Sequence, residues 1–221
     1  METSSSEPMT DDPVFAAQLE KEHQKRIREM SERLERSGFP PRLAGATLKD
    51  FETPDAGRQK ALERAISYAD LFRDRRNLPA SCMLLCGKPG TGKSHLAVGI
   101  ARRAAAVFGV RYATVSGLAR AVRSSYSKLA TKTEEDILDD HVSPSLLVLD
   151  EVGVGLGTDH ERAMMHDVLS GRYDRKKPTI MISNLSLEEF KAALGDRIVD
   201  RIREDKGTIL ECSWGSWRAR P

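Results

Sequence analysis

The chain has 221 residues, 39% hydrophobic and 31% charged, a composition that supports one folded α/β domain with a short appendage and excludes disorder throughout. No apolar run approaches the roughly 20 residues of a membrane span and no apolar signal core opens the chain, so a cytoplasmic protein is expected. The 35 Lys plus Arg nearly balance the 33 Asp plus Glu, and a net charge of +2 by itself indicates no partner.

Residues 1–13 carry Glu2, Glu7, Asp11 and Asp12, no base and three consecutive serines, the pattern of a disordered acidic tail. From 14 to 36 the composition is helical, with Leu19, His23, Ile27, Met30 and Leu34 forming a narrow apolar stripe between charged faces. Such a helix either lies on its own domain or offers its stripe to a partner, and Ser37-Gly38-Phe39-Pro40-Pro41 stops it. With the connector it makes an N-terminal helical region, 14–50, ahead of a main domain, 51–221.

The main domain opens with a helix over 58–75. Strands are predicted at 82–86, 110–115, 145–150, 178–183 and 208–213, and helices at 93–107, 117–129, 159–172, 186–194 and 196–204. This alternation predicts a mostly parallel five-stranded sheet flanked by helices. Cys82, Cys86 and Cys212 read as small buried hydrophobes of a reducing compartment. On one strand Cys82 and Cys86 would share a face roughly 13 Å apart, too far for a bridge or a common metal.

Gly87-Lys88-Pro89-Gly90-Thr91-Gly92-Lys93-Ser94 is a full G-x-x-x-x-G-K-S, after a predicted strand and opening a predicted helix. Its glycines let successive backbone N–H groups turn toward phosphate oxygens, and the helix start adds its positive dipole end. Lys93 would reach the β- and γ-phosphates of a nucleotide and Ser94 would offer a hydroxyl to Mg²⁺. Ser145-Leu146-Leu147-Val148-Leu149-Asp150-Glu151 then ends an apolar strand in two carboxylates. Asp150 suits a Mg²⁺ contact, and Glu151 can polarise a water for attack on the γ-phosphate, which favours hydrolysis. Leu169-Ser170-Gly171 follows the acidic strand instead of preceding it, so it is no transporter signature, and no Asn-Lys-x-Asp marks a GTPase.

Asn184 closes the strand 178–183, which the inferred sheet sets beside the phosphate strand; there it would hold the attacking water or sense the γ-phosphate. Ser183-Asn184 is equally a good cap for the next helix. Arg197 and Arg201 share one helix face and either pair with Asp196, Asp200 or Glu204 or serve a neighbouring subunit's nucleotide, Arg201 being the first choice.

This order of features resembles the AAA+ ATPases and, more narrowly, their DnaC/IstB family. The likeness rests on 87–97 (the phosphate loop with His95-Leu96-Ala97), on Leu147 to Gly153 and on Gly195-Asp196-Arg197 to Ile202. The ending Cys212-Ser213-Trp214-Gly215-Ser216-Trp217-Arg218 and the connector from Arg36 to Phe51 are similar to the helicase-loader branch. The resemblance implies ATP and Mg²⁺ bound between protomers of a homo-oligomer, with His95 beside the nucleotide, an arginine acting in trans and Arg218 as a second nucleotide-sensing arginine. It implies a loader that delivers a DnaB-type replicative helicase to single-stranded DNA, gripping it through the N-terminal helical region. With only three residues after Arg218, the helical lid domain of other AAA+ members is not expected here. A transposition helper acting on duplex DNA and a nucleotide-gated adaptor with incidental hydrolysis stand as alternatives.

From Arg75 to Thr133 the chain holds eleven basic residues and no acid, so the neutral total hides a local positive segment. Arg120, Arg123, Tyr126 and Lys128 lie on or just after one predicted helix within it. Cations with one aromatic suit single-stranded DNA, while a solvated face with Tyr126 as a core anchor is the plainer account. In initiator-type AAA+ proteins this location carries a helix that lines a DNA channel.

Overall fold

The computed structural model describes residues 13–43, 45–74, 76, 78–153, 158–204 and 207–217. The acidic tail through Asp12, and Arg218, lie outside them. Five strands, β1 (Met83–Cys86), β2 (Val110–Thr114), β3 (Leu146–Asp150), β4 (Thr179–Ile182) and β5 (Thr208–Glu211), form one parallel sheet in the order β2-β3-β4-β1-β5. Each lies inside its predicted run, trimmed by a residue or two at the ends.

Every residue of β1, β3 and β4 is buried, because helices cover both faces of the sheet. The pleat divides their side chains into two layers. Met83, Leu85, Leu146, Val148, Ile180 and Ile182 meet α2 (Ala56–Asp70) and α3 (Lys93–Ala105), while Leu84, Leu147, Leu149 and Met181 meet α4 (Val115–Ser125), α5 (Glu134–Val142), α6 (Asp159–Asp174) and α8 (Asp196–Arg203). α7 (Leu187–Leu194) leads from β4 into α8. Cys86 lies in the second layer and Cys82 packs against it, so the two thiols do share a face. All three cysteines are free, and burial pushes the Cys86 and Cys212 thiols up to about 11 and about 12, which keeps them protonated at neutral pH.

Two predicted helices change and one unpredicted helix appears. The helix expected over 58–75 runs instead over Ala56–Asp70, capped by the Asp55 side chain on the Arg58 N–H, and passes into a 3₁₀ turn at Leu71–Arg73. The helix expected over 117–129 starts earlier, where the Thr114 hydroxyl caps the Gly117 N–H at 3.0 Å, and stops at Ser125, leaving Tyr126 and Lys128 just beyond it. The acid-rich α5 was not expected; it starts in a capping box in which Thr133 and Asp136 satisfy each other's backbone N–H groups. Between α5 and β3 the chain is held by Arg172 of α6. Its fully buried guanidinium donates to the carbonyls of His141, Val142, Pro144 and Pro178 and to the Thr179 hydroxyl. Burial brings the Arg172 pKa down to about 10, still a cation at neutral pH.

α1 (Pro13–Arg36) touches the domain through its last turns. Leu34 packs on the core, and Arg33 donates to the carbonyls of Ala105 and Ala106 at the C-terminal end of α3, where a cation is favoured. Phe15, Leu19 and Ile27 stay exposed. The connector is part of the domain's packing: Leu43, Leu48 and Phe51 are buried in the same core as α2 and α3.

Candidate nucleotide site

The C-terminal ends of β1, β3 and β4 open on a cavity of about 440 Å³. Ligands of open parallel sheets sit at such an edge. Pro89, Gly90, Gly92, Lys93, Ser94 and His95 line one side, with Asp150, Glu151 and Asn184 beside them. Three segments far apart in sequence therefore meet at one place, as their motifs predict.

The phosphate loop takes its shape from residues that only glycine serves well. Gly87, Gly90 and Gly92 have φ of 109°, 78° and 93°, and Gly92 passes directly into α3. Lys93 folds back over the loop, its ammonium donating to the carbonyls of Gly87 at 2.7 Å and Lys88 at 2.6 Å. Burial lowers its pKa, which the nearby Asp150 partly opposes. Gly87, Lys88 and Thr91 do not face the cavity. Gly87 anchors the start of the loop by donating to the Leu185 carbonyl at 2.7 Å, Lys88 is exposed, and Thr91 is buried with its hydroxyl on the Lys88 carbonyl.

Asp150 is fixed on three sides. Its Oδ2 accepts from the Ser94 hydroxyl at 2.9 Å and the Tyr112 hydroxyl at 2.5 Å, and its Oδ1 accepts the Glu151 N–H at 2.7 Å. Burial and the Asp150 carboxylate push the Tyr112 phenol well above its ordinary range, so it stays a donor. Tyr112 was absent from the sequence reading, although a tyrosine on the strand preceding the acidic one was a usable signal. The Ser94 hydroxyl and the Asp150 carboxylate, already in contact, are hard oxygen donors of the kind Mg²⁺ takes while keeping waters and substrate oxygens. Among the described residues no cluster of three or more His, Cys, Asp or Glu forms a metal cage.

Glu151 has φ of 63°, a left-handed backbone uncommon outside glycine, and this turn at the end of β3 brings it to the cavity. Asn184 is held by its neighbours: Ser183 donates its N–H to the Leu85 carbonyl and its hydroxyl to the Val152 carbonyl, tying β4 to β1 and to the turn after β3. Neither Arg197 nor Arg201 lines the cavity. Arg197 is exposed; Arg201 lies 4.6 Å over the Tyr173 ring and donates to the Ser170 hydroxyl at 2.8 Å.

The far end of the cavity was not read from the sequence. Arg42, Leu43, Asp50, Phe51 and Glu52 of the connector and Trp217 near the C-terminus complete its wall, and the His95 ring meets Phe51 edge-on while its Nε2 contacts the Thr47 carbonyl.

A family model described as IstB-like ATP binding protein matches residues 3–220. The chain belongs to this family. It is 30% identical to the replicative helicase loader DnaC of Escherichia coli K12 over 211 residues, covering 94% of this chain and 82% of the relative. A crystal structure of the DnaC helicase loader superposes with a TM-score of 0.67 at 22% identity over 79% of this chain and all of that one. The replication initiator DnaA bound to AMPPCP and single-stranded DNA gives 0.64 at 22% over 80% of this chain and 52% of that one. The fold is the AAA+ P-loop architecture that the phosphate loop and acidic strand predict, and the family's description as ATP-binding agrees with that loop.

The basic helix end lies on the surface. Tyr126 is 61% and Leu129 91% exposed, so Tyr126 is no core anchor. The tertiary fold supplies acids that the local sequence lacks: Arg123 pairs with Glu161 at 3.3 Å, Lys132 with Asp140, and Arg103 with Asp70, while the Tyr126 hydroxyl donates to Glu134 at 2.6 Å. Arg120 and Lys128 are exposed and have no ion pair among the described residues.

Proposed function

We propose that the chain is an ATP-hydrolysing loader that binds single-stranded DNA and delivers a DnaB-type replicative helicase during initiation of replication. The observation that carries this reading is the match to a helicase loader across 94% of the chain, with the phosphate loop and the Asp150-Glu151 strand end facing one cavity. ATP places its phosphates along 90–94, with Lys93 on the β- and γ-oxygens. Ser94 and Asp150 would hold Mg²⁺, which would supply positive charge to the phosphates. Glu151 takes the proton of the attacking water, the oxygen bonds the γ-phosphorus, and the bond to ADP breaks to release phosphate; Asn184 orients that water. Arg201, or Arg197 on the same helix, acts on a neighbouring protomer's nucleotide in a homo-oligomer, since neither reaches its own. The exposed stripe of Phe15, Leu19 and Ile27 offers the helicase an apolar face, and Arg120 and Lys128, with Arg123 and Tyr126, meet single-stranded DNA.

A pull-down against a replicative helicase, with and without ATP and single-stranded DNA, tests this. The reading expects capture of the helicase that changes with nucleotide. No capture in any state, together with filaments on duplex DNA, would replace it by the transposition-helper reading; helicase capture with negligible ATP turnover would leave an adaptor.

A further inference from the structure

Each glycine of the phosphate loop is backed by a residue from outside the loop. A Cβ on Gly87 would lie 2.6 Å from the Cys212 carbonyl oxygen, one on Gly90 2.0 Å from the Ser216 hydroxyl, and one on Gly92 2.6 Å from the Phe51 ring. The C-terminal segment is bonded along the same surface. The Cys212 N–H donates to the Cys86 carbonyl, the Trp214 indole to the Thr91 carbonyl at 2.8 Å and the Trp217 N–H to the Gly90 carbonyl at 2.8 Å. Residues 212–217 therefore form a strap across the outside of the loop, and the strap ends by setting the Trp217 ring at the cavity.

Trp217 is braced. The guanidinium of Arg58, itself buried, lies 4.6 Å from its ring centroid, and Arg58 is held by Asp55 and the Gly215 carbonyl. The Phe51 ring meets Trp217 edge-on at 6.2 Å. The cavity holds Lys93, Ser94, Asp150, Glu151 and Asn184 at one end, and at the other an aromatic surface of Phe51 and Trp217 beside Leu43, with Arg42, Asp50 and Glu52 around it. A ligand with phosphates at one end and a flat heteroaromatic ring at the other fits both ends. Aromatic stacking rewards any nucleobase face, and a plate already fixed by a buried cation loses little freedom when a base settles on it.

We propose that Trp217, braced by Arg58 and paired with Phe51, forms the wall that contacts the nucleobase, so that the strap reads the base as well as holding the loop. This rests on the nucleotide-site reading above. The test is isothermal titration of the full chain with ATP and with inorganic tripolyphosphate, which has the phosphates but no base. Trp217→Ala is expected to weaken ATP roughly tenfold, within the roughly 5- to 160-fold range of a stacked base, and to leave tripolyphosphate within about twofold; Trp217→Phe should recover most of the ATP affinity. Equal losses for both ligands would make Trp217 a loop brace only, and unchanged ATP affinity would remove it from the site; either overturns the proposal. Retained tripolyphosphate binding also shows that the variant is folded. In Trp214→Phe, where Trp217 is the sole tryptophan, ATP should quench the emission and tripolyphosphate should not; equal responses would count against base contact. Lys93→Ala separates the two readings, because unchanged binding of both ligands there would refute the phosphate site itself.

Discussion

Replacing Tyr112 by Phe removes one oxygen atom and the hydrogen bond it donates, at 2.5 Å, to a buried carboxylate. A hydrogen bond to a charged group contributes about 1.5–3 kcal/mol, and a phenyl ring offers Asp150 no donor in the place of the Tyr112 hydroxyl. For a domain of this size each kcal/mol moves the melting temperature by about 2–4 °C, so Tyr112→Phe should melt about 3–12 °C lower. The phenol's pKa is raised above its ordinary value of 10.0, so its stabilising contribution is complete below that pH. Above about pH 10 the unfolded chain ionises this tyrosine while the folded chain does not, and the contribution fades as pH rises. The gap between wild type and variant should narrow there, and Tyr68, also raised by burial, is common to both proteins and cancels. Differential scanning calorimetry of both proteins at pH 7.5 and above pH 10 reads this directly. A melting difference under about 1 °C at neutral pH, or a gap that widens in alkali, would refute the role given to this bond.

Other outcomes follow from the same geometry. Glu151→Gln should bind ATP normally and lower turnover by about 10²- to 10⁴-fold, measured by phosphate release, because it keeps the shape of the site and removes the base. Arg201→Ala should leave ATP affinity within about twofold and abolish assembly-dependent hydrolysis; if Arg197→Ala alone does so, the acting arginine is the exposed one. Arg120→Ala and Lys128→Ala should each reduce the salt slope of single-stranded DNA binding by about 0.7, whereas Arg123→Ala should cost less because Glu161 already occupies that cation. Fluorescence anisotropy across a salt series checks this, and unchanged slopes for both would exclude this surface.

What was legible in the sequence is what lies in contiguous residues. The phosphate loop and Asp150-Glu151 each follow an apolar strand, and buried parallel strands read as unbroken apolar runs, so both the sheet and its chemical edge were visible. α5 was hidden because its few apolar positions, Ile137, Leu138 and Val142, are outnumbered by acids; the Thr133–Asp136 cap was its signal. The aromatic end of the cavity joins Phe51 to Trp217, and no local pattern links residues that far apart. The acid-free stretch was read correctly as sequence, yet Asp70, Asp140 and Glu161 fold back to pair with part of it. Charge in a segment is a one-dimensional quantity, whereas the surface field belongs to the fold.

The most direct measurement of the central claim is loading of a replicative helicase ring onto a covalently closed single-stranded circle, with the helicase bound to the circle quantified after gel filtration. We predict helicase on the circle only when the wild-type chain and ATP are both present, and a strongly reduced yield with Lys93→Ala. Equal yields with and without the chain, or none in the presence of both chain and ATP, would contradict the account.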